Sequence, residues 1–188
     1  KIDSLVKSGP TGISIDEVKR IIEANQDAKQ YFYSRTDERW LTWLWDNGFL
    51  DAIKKKAEDS TKYQYRLPEL DFLVRVTETK SEKVADIILD HDVAASESKF
   101  NPEVVDRFVY ISSSLPAVQL ARVVKKIRNE KWVQLMGNFN HWGFEYEKMF
   151  SILAAAKDYN SVLTLAEAVL SVKSKNGGDV QDISYNPF

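Results

Sequence analysis

The chain has 188 residues, 44% of them hydrophobic and 29% charged, which is enough apolar material for one full core and too much for a disordered segment. Twenty-six Lys plus Arg against 28 Asp plus Glu leave a formal net charge of -2, so no global field draws the chain toward nucleic acid or an anionic membrane. The absence of cysteine excludes disulfides, thiolate metal sites and a cysteine nucleophile, and it fits a cytoplasmic location.

No stretch approaches the ~18 apolar residues of a membrane span. The start, KIDSLVKSGPTG, lacks the apolar run of a signal peptide. Lys1 in place of an initiating Met and the abrupt end SYNPF lead to the expectation of a piece of a longer chain.

Ser14 with Glu17 forms a capping box, and Ile15, Val18, Ile21, Ile22, Asn25 and Ala28 follow at spacings of three and four. This predicts a helix over 15–33, with a break near Asn25. Thr36 or Asp37 then caps a helix whose Trp40, Leu41, Trp43, Leu44 and Trp45 leave only Arg39, Thr42 and Asp46 as a polar stripe. Gly48 suits the left-handed position past its end, with Phe49 folding back onto Leu44. Rings of this size remove ~150 to 250 Å² each from water, so the sequence places Trp40, Leu41, Leu44 and Phe49 in the core, with Trp43 or Trp45 reaching the surface.

Residues 51–66 carry charge and little periodicity, and they read as a surface connector. Pro68 opens a helix with Leu70, Leu73, Val74 and Thr77 on one face. Thr79 with Glu82 makes a second capping box, for a helix bearing Val84, Ile87, Ile88 and His91. Asn101 and Pro102 start a pair with Val104, Val105, Phe108, Val109 and Ser112 inward on its first helix, and Val118, Ala121, Val124 and Ile127 inward on its second. After KWVQLMGNFNHWG, a last pair runs over about 144–157 and 161–173, and residues 174–188 read as a flexible tail.

The second helices of these pairs align as VADIIL, LARVVK and LAEAVL, bringing Ala85, Ala121 and Ala166 into register at 36 and 45 residues. Such spacing is that of two-helix repeats, in which one pair cannot bury both faces and stacks on its neighbour. The predicted architecture is all-α, a right-handed solenoid of about four antiparallel helix pairs in one domain, 1–173. It comprises an aromatic hairpin at 15–50 and pairs at 67–93, 101–130 and 143–173.

The runs YFYSRTDERWLTWLWDNGFLD, YRLPELDFLVRV and SEKVADIILDH resemble HEAT/armadillo-like α-solenoid segments of large, uncharacterised prokaryotic multidomain proteins. The resemblance covers roughly residues 28–130. It departs at LDAIKKKAEDSTKYQY, where such segments more often carry a proline-rich connector. It implies a scaffold or partner-binding region attached to other domains, some of them nucleotide hydrolases or nucleases, for which this part would serve as a sensor or regulatory arm.

Among chemical motifs, DHD at 90–92 is the arrangement that hints at metal. A metal site needs further His and Asp partners, and the other histidine, His141, stands beside Trp142 in an expected loop. The alternative is a frayed helix end where a histidine near the last carbonyls is favourable. NGGD at 176–179 precedes no helix, SSS at 112–114 reads as a helix end with Ser114 capping the next helix, and Glu145 with Glu147 reads as solvated charge. No catalytic, cofactor or metal residue is assigned.

The functional lead is ARVVKKIRNEKW, where Arg122, Lys125, Lys126, Arg128 and Lys131 share the exposed side of one helix. Such a surface meets acidic protein faces or phosphates, against the plain reading of a solvated helix with cations near its C-terminus. The expected function is a non-catalytic protein-interaction scaffold. The alternative is a nucleic-acid-binding helical repeat using the 122–131 helix.

Overall fold

Asn25 divides the first predicted helix completely. The structure, a computed structural model, describes residues 2–54, 67–92, 101–136 and 143–171. It begins with a short helix that carries no capping signature, α1 (Ile2–Ser8), which buries Leu5 and Val6. The helix expected over 15–33 is two, α2 (Ile15–Ile22) and α3 (Gln26–Arg35). Between them Asn25 is extended and accepts a hydrogen bond from the Ala28 N–H at 2.8 Å, so it starts a new helix instead of bending an old one. Ser14 caps α2, accepting from the Asp16 N–H.

Asp37 caps a 3₁₀ turn (Glu38–Trp40) that leads into α4 (Leu41–Asp46). The stop works as the sequence predicts. Gly48 takes φ 75°, the Phe49 N–H donates to the Leu44 carbonyl at 2.9 Å, and the Gly48 N–H donates to Trp45 at 3.1 Å. The Phe49 ring stacks on Trp43, with centroids 5.2 Å apart. Trp40, Leu41 and Leu44 are fully buried, while Trp43, Trp45 and Phe49 pack half-buried against the core. The aromatic stretch is a brace. A second 3₁₀ turn (Asp51–Lys54) buries Ile53, and the rest of the expected connector lies outside the described residues.

Pro68 opens α5 (Pro68–Val76), and α6 (Ser81–Asp90) follows. The Thr79–Glu82 box does not form, because the Thr79 hydroxyl donates to the Val76 carbonyl at 3.2 Å and so closes α5; Lys80 precedes α6 without a side-chain cap. Asn101 caps α7 (Pro102–Ser112), accepting from Glu103 and Val104 N–H groups, and all five residues predicted to face inward are buried.

In α8 (Ala117–Asn129) the buried residues are Leu120, Val123, Val124 and Ile127, whereas Val118, expected inside, is 74% exposed. Residues 118 and 127 are about two and a half turns apart at 3.6 residues per turn, hence on opposite sides. A frame stepping strictly by three drifts off the face. Nor does Ser114 cap this helix, since Pro116 precedes it without a side-chain bond.

After Lys131, at φ 55°, α9 (Trp132–Met136) continues and buries Trp132. The last pair is α10 (Gly143–Ala155) and α11 (Tyr159–Leu170). Asp158 caps α11, accepting from the Ser161 N–H at 3.1 Å and its hydroxyl at 2.7 Å. His141, Trp142 and the tail 174–188 lie outside the described residues. The described residues form eleven α-helices and no strand, so the chain is all-α. No helix among them is long and apolar enough to cross a membrane.

Packing contacts run in two series. In one, α3 meets α5, α5 meets α7 and α7 meets α10; in the other, α6 meets α8 and α8 meets α11. Rings join them through the middle. Phe32 lies edge-on to Tyr33 and Trp40 at 5.5 Å, Tyr33 reaches Phe72, and Trp45, His91, Phe108 and Trp132 follow one another at 5.1 to 6.1 Å.

Polar bonds at the rim repeat the same steps. From α3 to α5, Lys29 pairs with Glu69 at 2.6 Å, and Arg75 donates to the carbonyls of Tyr33 and Thr36. From α5 to α7, the Leu67 N–H donates to Glu103 at 3.0 Å and Arg107 pairs with Asp71 at 3.2 Å. Gln134 of α9 donates to the Ser171 carbonyl at 3.1 Å. These cross-helix hydrogen bonds span 36 to 42 residues. The Gln134–Ser171 bond spans 37, not the 45 that aligning Ala121 with Ala166 suggests, so Ala166 lies nearer the end of α8 than Ala121.

Candidate interaction surface

The face of α8 that faces away from Val123, Val124 and Ile127 carries the basic run. Arg122, Lys125 and Arg128 are exposed on α8 and Lys126 is half-buried there, while Lys131 is exposed just past the helix end. The structure gives three of these five candidates partners. Arg122 Nη2 reaches Asp86 Oδ1 of α6 at 2.7 Å, and Arg128 Nε reaches Glu167 Oε2 of α11 at 2.9 Å. Lys126 pairs with Glu130 and donates to the Leu89 carbonyl at 3.3 Å. Glu130 in turn accepts from the indole N–H of the buried Trp132 at 2.8 Å.

Only Lys125 and Lys131 make no ion pair among the described residues. Lys125 adds to the field at Asp158, whose carboxyl is held below its ordinary range first by the Ser161 hydroxyl and also by the Ser161 N–H. Lys131 occupies the left-handed turn between α8 and α9. The arginines therefore strap α8 to its two neighbours, and the local positive field is largely cancelled where they stand. A phosphate backbone needs cations free to displace its counterions.

The second helices carry more exposed apolar surface than the sequence indicates. Val118 on α8 and Leu163 and Leu170 on α11 are 74%, 62% and 61% exposed. Tyr159, one turn before Leu163, is 63% exposed. LAEAVL reads as uniformly interior because its one charge, Glu167, gives little contrast by which to find the outer side.

His91 caps the end of α6 and meets its last carbonyls, as the second sequence reading expects, but it is packed inside rather than frayed. It is fully buried, Nδ1 donates to the Ile87 carbonyl at 2.8 Å, and its ring lies between Trp45 and Phe108 at 5.1 and 6.0 Å. A carbonyl can only accept, so this bond fixes the proton on Nδ1. Among the described residues no three His, Asp or Glu side chains gather as a metal site would require.

Two buried polar features have no sequence signal. Glu69, in the first turn of α5, is fully buried against Lys29. Tyr33 donates to the Phe49 carbonyl at 2.7 Å, and its burial, aided by the Glu69 carboxylate, pushes the phenol well above its ordinary range. Glu145, expected to be solvated, has one carboxylate oxygen buried without a hydrogen bond among the described residues. No protein-family model, curated protein or solved structure matches the chain.

Proposed function

We propose that the chain is a right-handed α-solenoid module, HEAT/armadillo-like in its stacking, that serves as a non-catalytic scaffold for other polypeptides. Polar bonds that advance by a nearly constant 36 to 42 residues support the repeat, because equivalent helices of successive pairs must then run in the same direction. The observation that carries the function is the outer face of the second helices. Val118 is exposed on the same helix as Lys125, and Leu163 and Leu170 are exposed on α11, with the arginines tied to carboxylates. Apolar side chains with a few charges around them suit a protein partner, whereas a nucleic-acid groove would keep its arginines available.

The test places a photoreactive side chain at Val118 and, as a control, at Ser4 on the opposite end of the chain, in the cells that make the protein. A discrete polypeptide adduct from position 118 alone supports the reading. Identical adducts from both positions sink it. So does oligonucleotide binding that falls steeply with salt and is lost in Lys125→Ala with Lys131→Ala, which would assign the surface to nucleic acid.

A further inference from the structure

We propose that α3 and the 3₁₀ turn after it (Glu38–Trp40) form a groove for a short amphipathic helix of another polypeptide, and that α1 is its built-in, displaceable occupant. The inference adds a second site to the scaffold reading and makes no use of α8. What the groove takes is shown by α1 itself. This helix lies against α3, and Leu5 and Val6 join the apolar cluster of Phe32 and Trp40, with Ile2 packed half-buried against it. Ile2, Leu5 and Val6 stand at i, i+3 and i+4, one face of a helix. Asp3 accepts from the Tyr31 hydroxyl at 3.0 Å and from Arg35 Nε at 3.2 Å, and the Val6 carbonyl accepts from the Trp40 indole at 3.3 Å. The fitting ligand is therefore a helical turn with a carboxylate two residues ahead of two adjacent aliphatic side chains.

The hold on α1 is slight beside that on its neighbours. At seven residues it falls below the ~12 to 15 at which an isolated helix is even marginal in water, so it is helical only while seated. Leu5 and Val6 keep 7% and 6% exposure where Phe32, Trp40 and Leu44 keep none. The Asp3–Arg35 pair is half exposed on both sides, a kind of contact that contributes little. Gly9 and Gly12, on either side of Pro10 and Thr11, sit at φ 76° and 77°, with open space where a Gly12 Cβ would stand, so the link to α2 can turn. Release of α1 frees the Trp40 indole N–H, the Tyr31 hydroxyl and Arg35 together.

A second copy fits this groove less well than another polypeptide. Its α1 already fills its own seat, so exchange swaps identical contacts and adds the entropy lost on association. The short link holds α1 at an effective concentration on the order of 1 mM, which any competing helix must match.

The probe is a fluorescent peptide of residues 2–12, titrated by anisotropy into the full chain and into full-length Leu5→Glu with Val6→Glu, whose own α1 cannot seat. Binding to the double variant should be at least about tenfold tighter than to the unaltered chain, because the tethered competitor is gone. A peptide carrying the same two glutamates should bind neither. Arg35→Glu added to the double variant should weaken the peptide roughly threefold, and a peptide with Asp3→Lys should regain it. Asp3→Lys in the chain loosens α1 from outside the core, should tighten peptide binding roughly threefold, and decides the matter if the double variant does not fold. Independently, hydrogen exchange on the unaltered chain should find the α1 amides and the Trp40 indole N–H opening together, ahead of α7 and α8.

Peptide binding no tighter to the loosened variants, equal binding of the glutamate peptide, indifference to the charge at position 35, or α1 amides that exchange only with those of α7 and α8 would each overturn the proposal. A dimer of the unaltered chain in sedimentation velocity that the double variant lacks would give the groove to a second copy, and the proposed occupant would fall. If the peptide fails while photoadducts at position 118 persist, the groove falls and the scaffold reading stands. If those adducts vanish while the peptide binds, the scaffold reading falls and the groove stands.

Discussion

In the first fifty residues Phe32, Tyr33, Trp40, Trp43 and Phe49 meet ring against ring, whereas from residue 101 onward Val, Leu and Ile fill most of the interior and arginines bridge helix to helix at the rim. The first region is made of short helices broken by Asn25, Asp37 and Gly48, and such pieces present too few side chains to hold one another with aliphatic residues alone. Large rings supply the missing area. The later helices, mostly 11 to 13 residues long, pack through regular faces and need the rim bonds only to set their register. Stability is thus concentrated at the rings and spread thinly over the ion pairs.

The sharpest way to break this contrast is Trp40→Ala. The indole is fully buried, lies edge-on to Phe32 and Trp43, and donates to the Val6 carbonyl at 3.3 Å. A loss of about 3–5 kcal/mol is expected in denaturant unfolding. Next comes Lys29→Ala, which strands the buried Glu69 carboxylate and should cost about 3 kcal/mol. Lys29→Met combined with Glu69→Leu should recover most of that loss, since the penalty lies in the unpaired charge. If the double variant is as unstable as the single, the pair is more than a neutralised charge.

Gly48→Ala is expected to cost about 1 kcal/mol, because φ 75° strains any Cβ and the new atom would lie 3.0 Å from Asp51 Oδ2. Arg122→Gln and Arg128→Gln should each change stability by less than about 1 kcal/mol, with the difference fading in salt. A large effect from either would mean that the later helices depend on their straps as the first region depends on its rings.

Acidification tests the cap of α11. The Asp158 carboxyl is lowered from its ordinary 3.8 by the Ser161 bonds, so its contribution is present above that value and is lost as pH falls through the lower folded one. Asp158→Asn keeps a capping oxygen and should flatten this part of the acid limb in a pH titration of helicity.

The longer helices and most interiors are legible from local signals, as Pro68, Asn101 and the Gly48 stop illustrate, whereas the short α1 and the division of α2 from α3 are not. Legibility fails where two readings of one residue compete. Thr79 has a carbonyl to donate to behind it and an N–H to accept from ahead of it, and only the end of α5 decides which it takes. Val118 fits a three-residue rhythm that the helix itself does not keep. His91 resembles chemistry because a histidine between two aspartates is rare, yet its neighbours in space, Trp45 and Phe108, come from distant parts of the chain. The basic run is plain in the sequence, but the carboxylates that answer it, Asp86 and Glu167, sit in the neighbouring helices α6 and α11.

The near-constant reach of the cross-helix bonds has a consequence for how the protein is made. Since each element is completed by one about forty residues away, the amino-terminal rings can settle while later codons are still being read, and each new pair has a finished template waiting for it. A growing polypeptide of this design exposes only its newest edge.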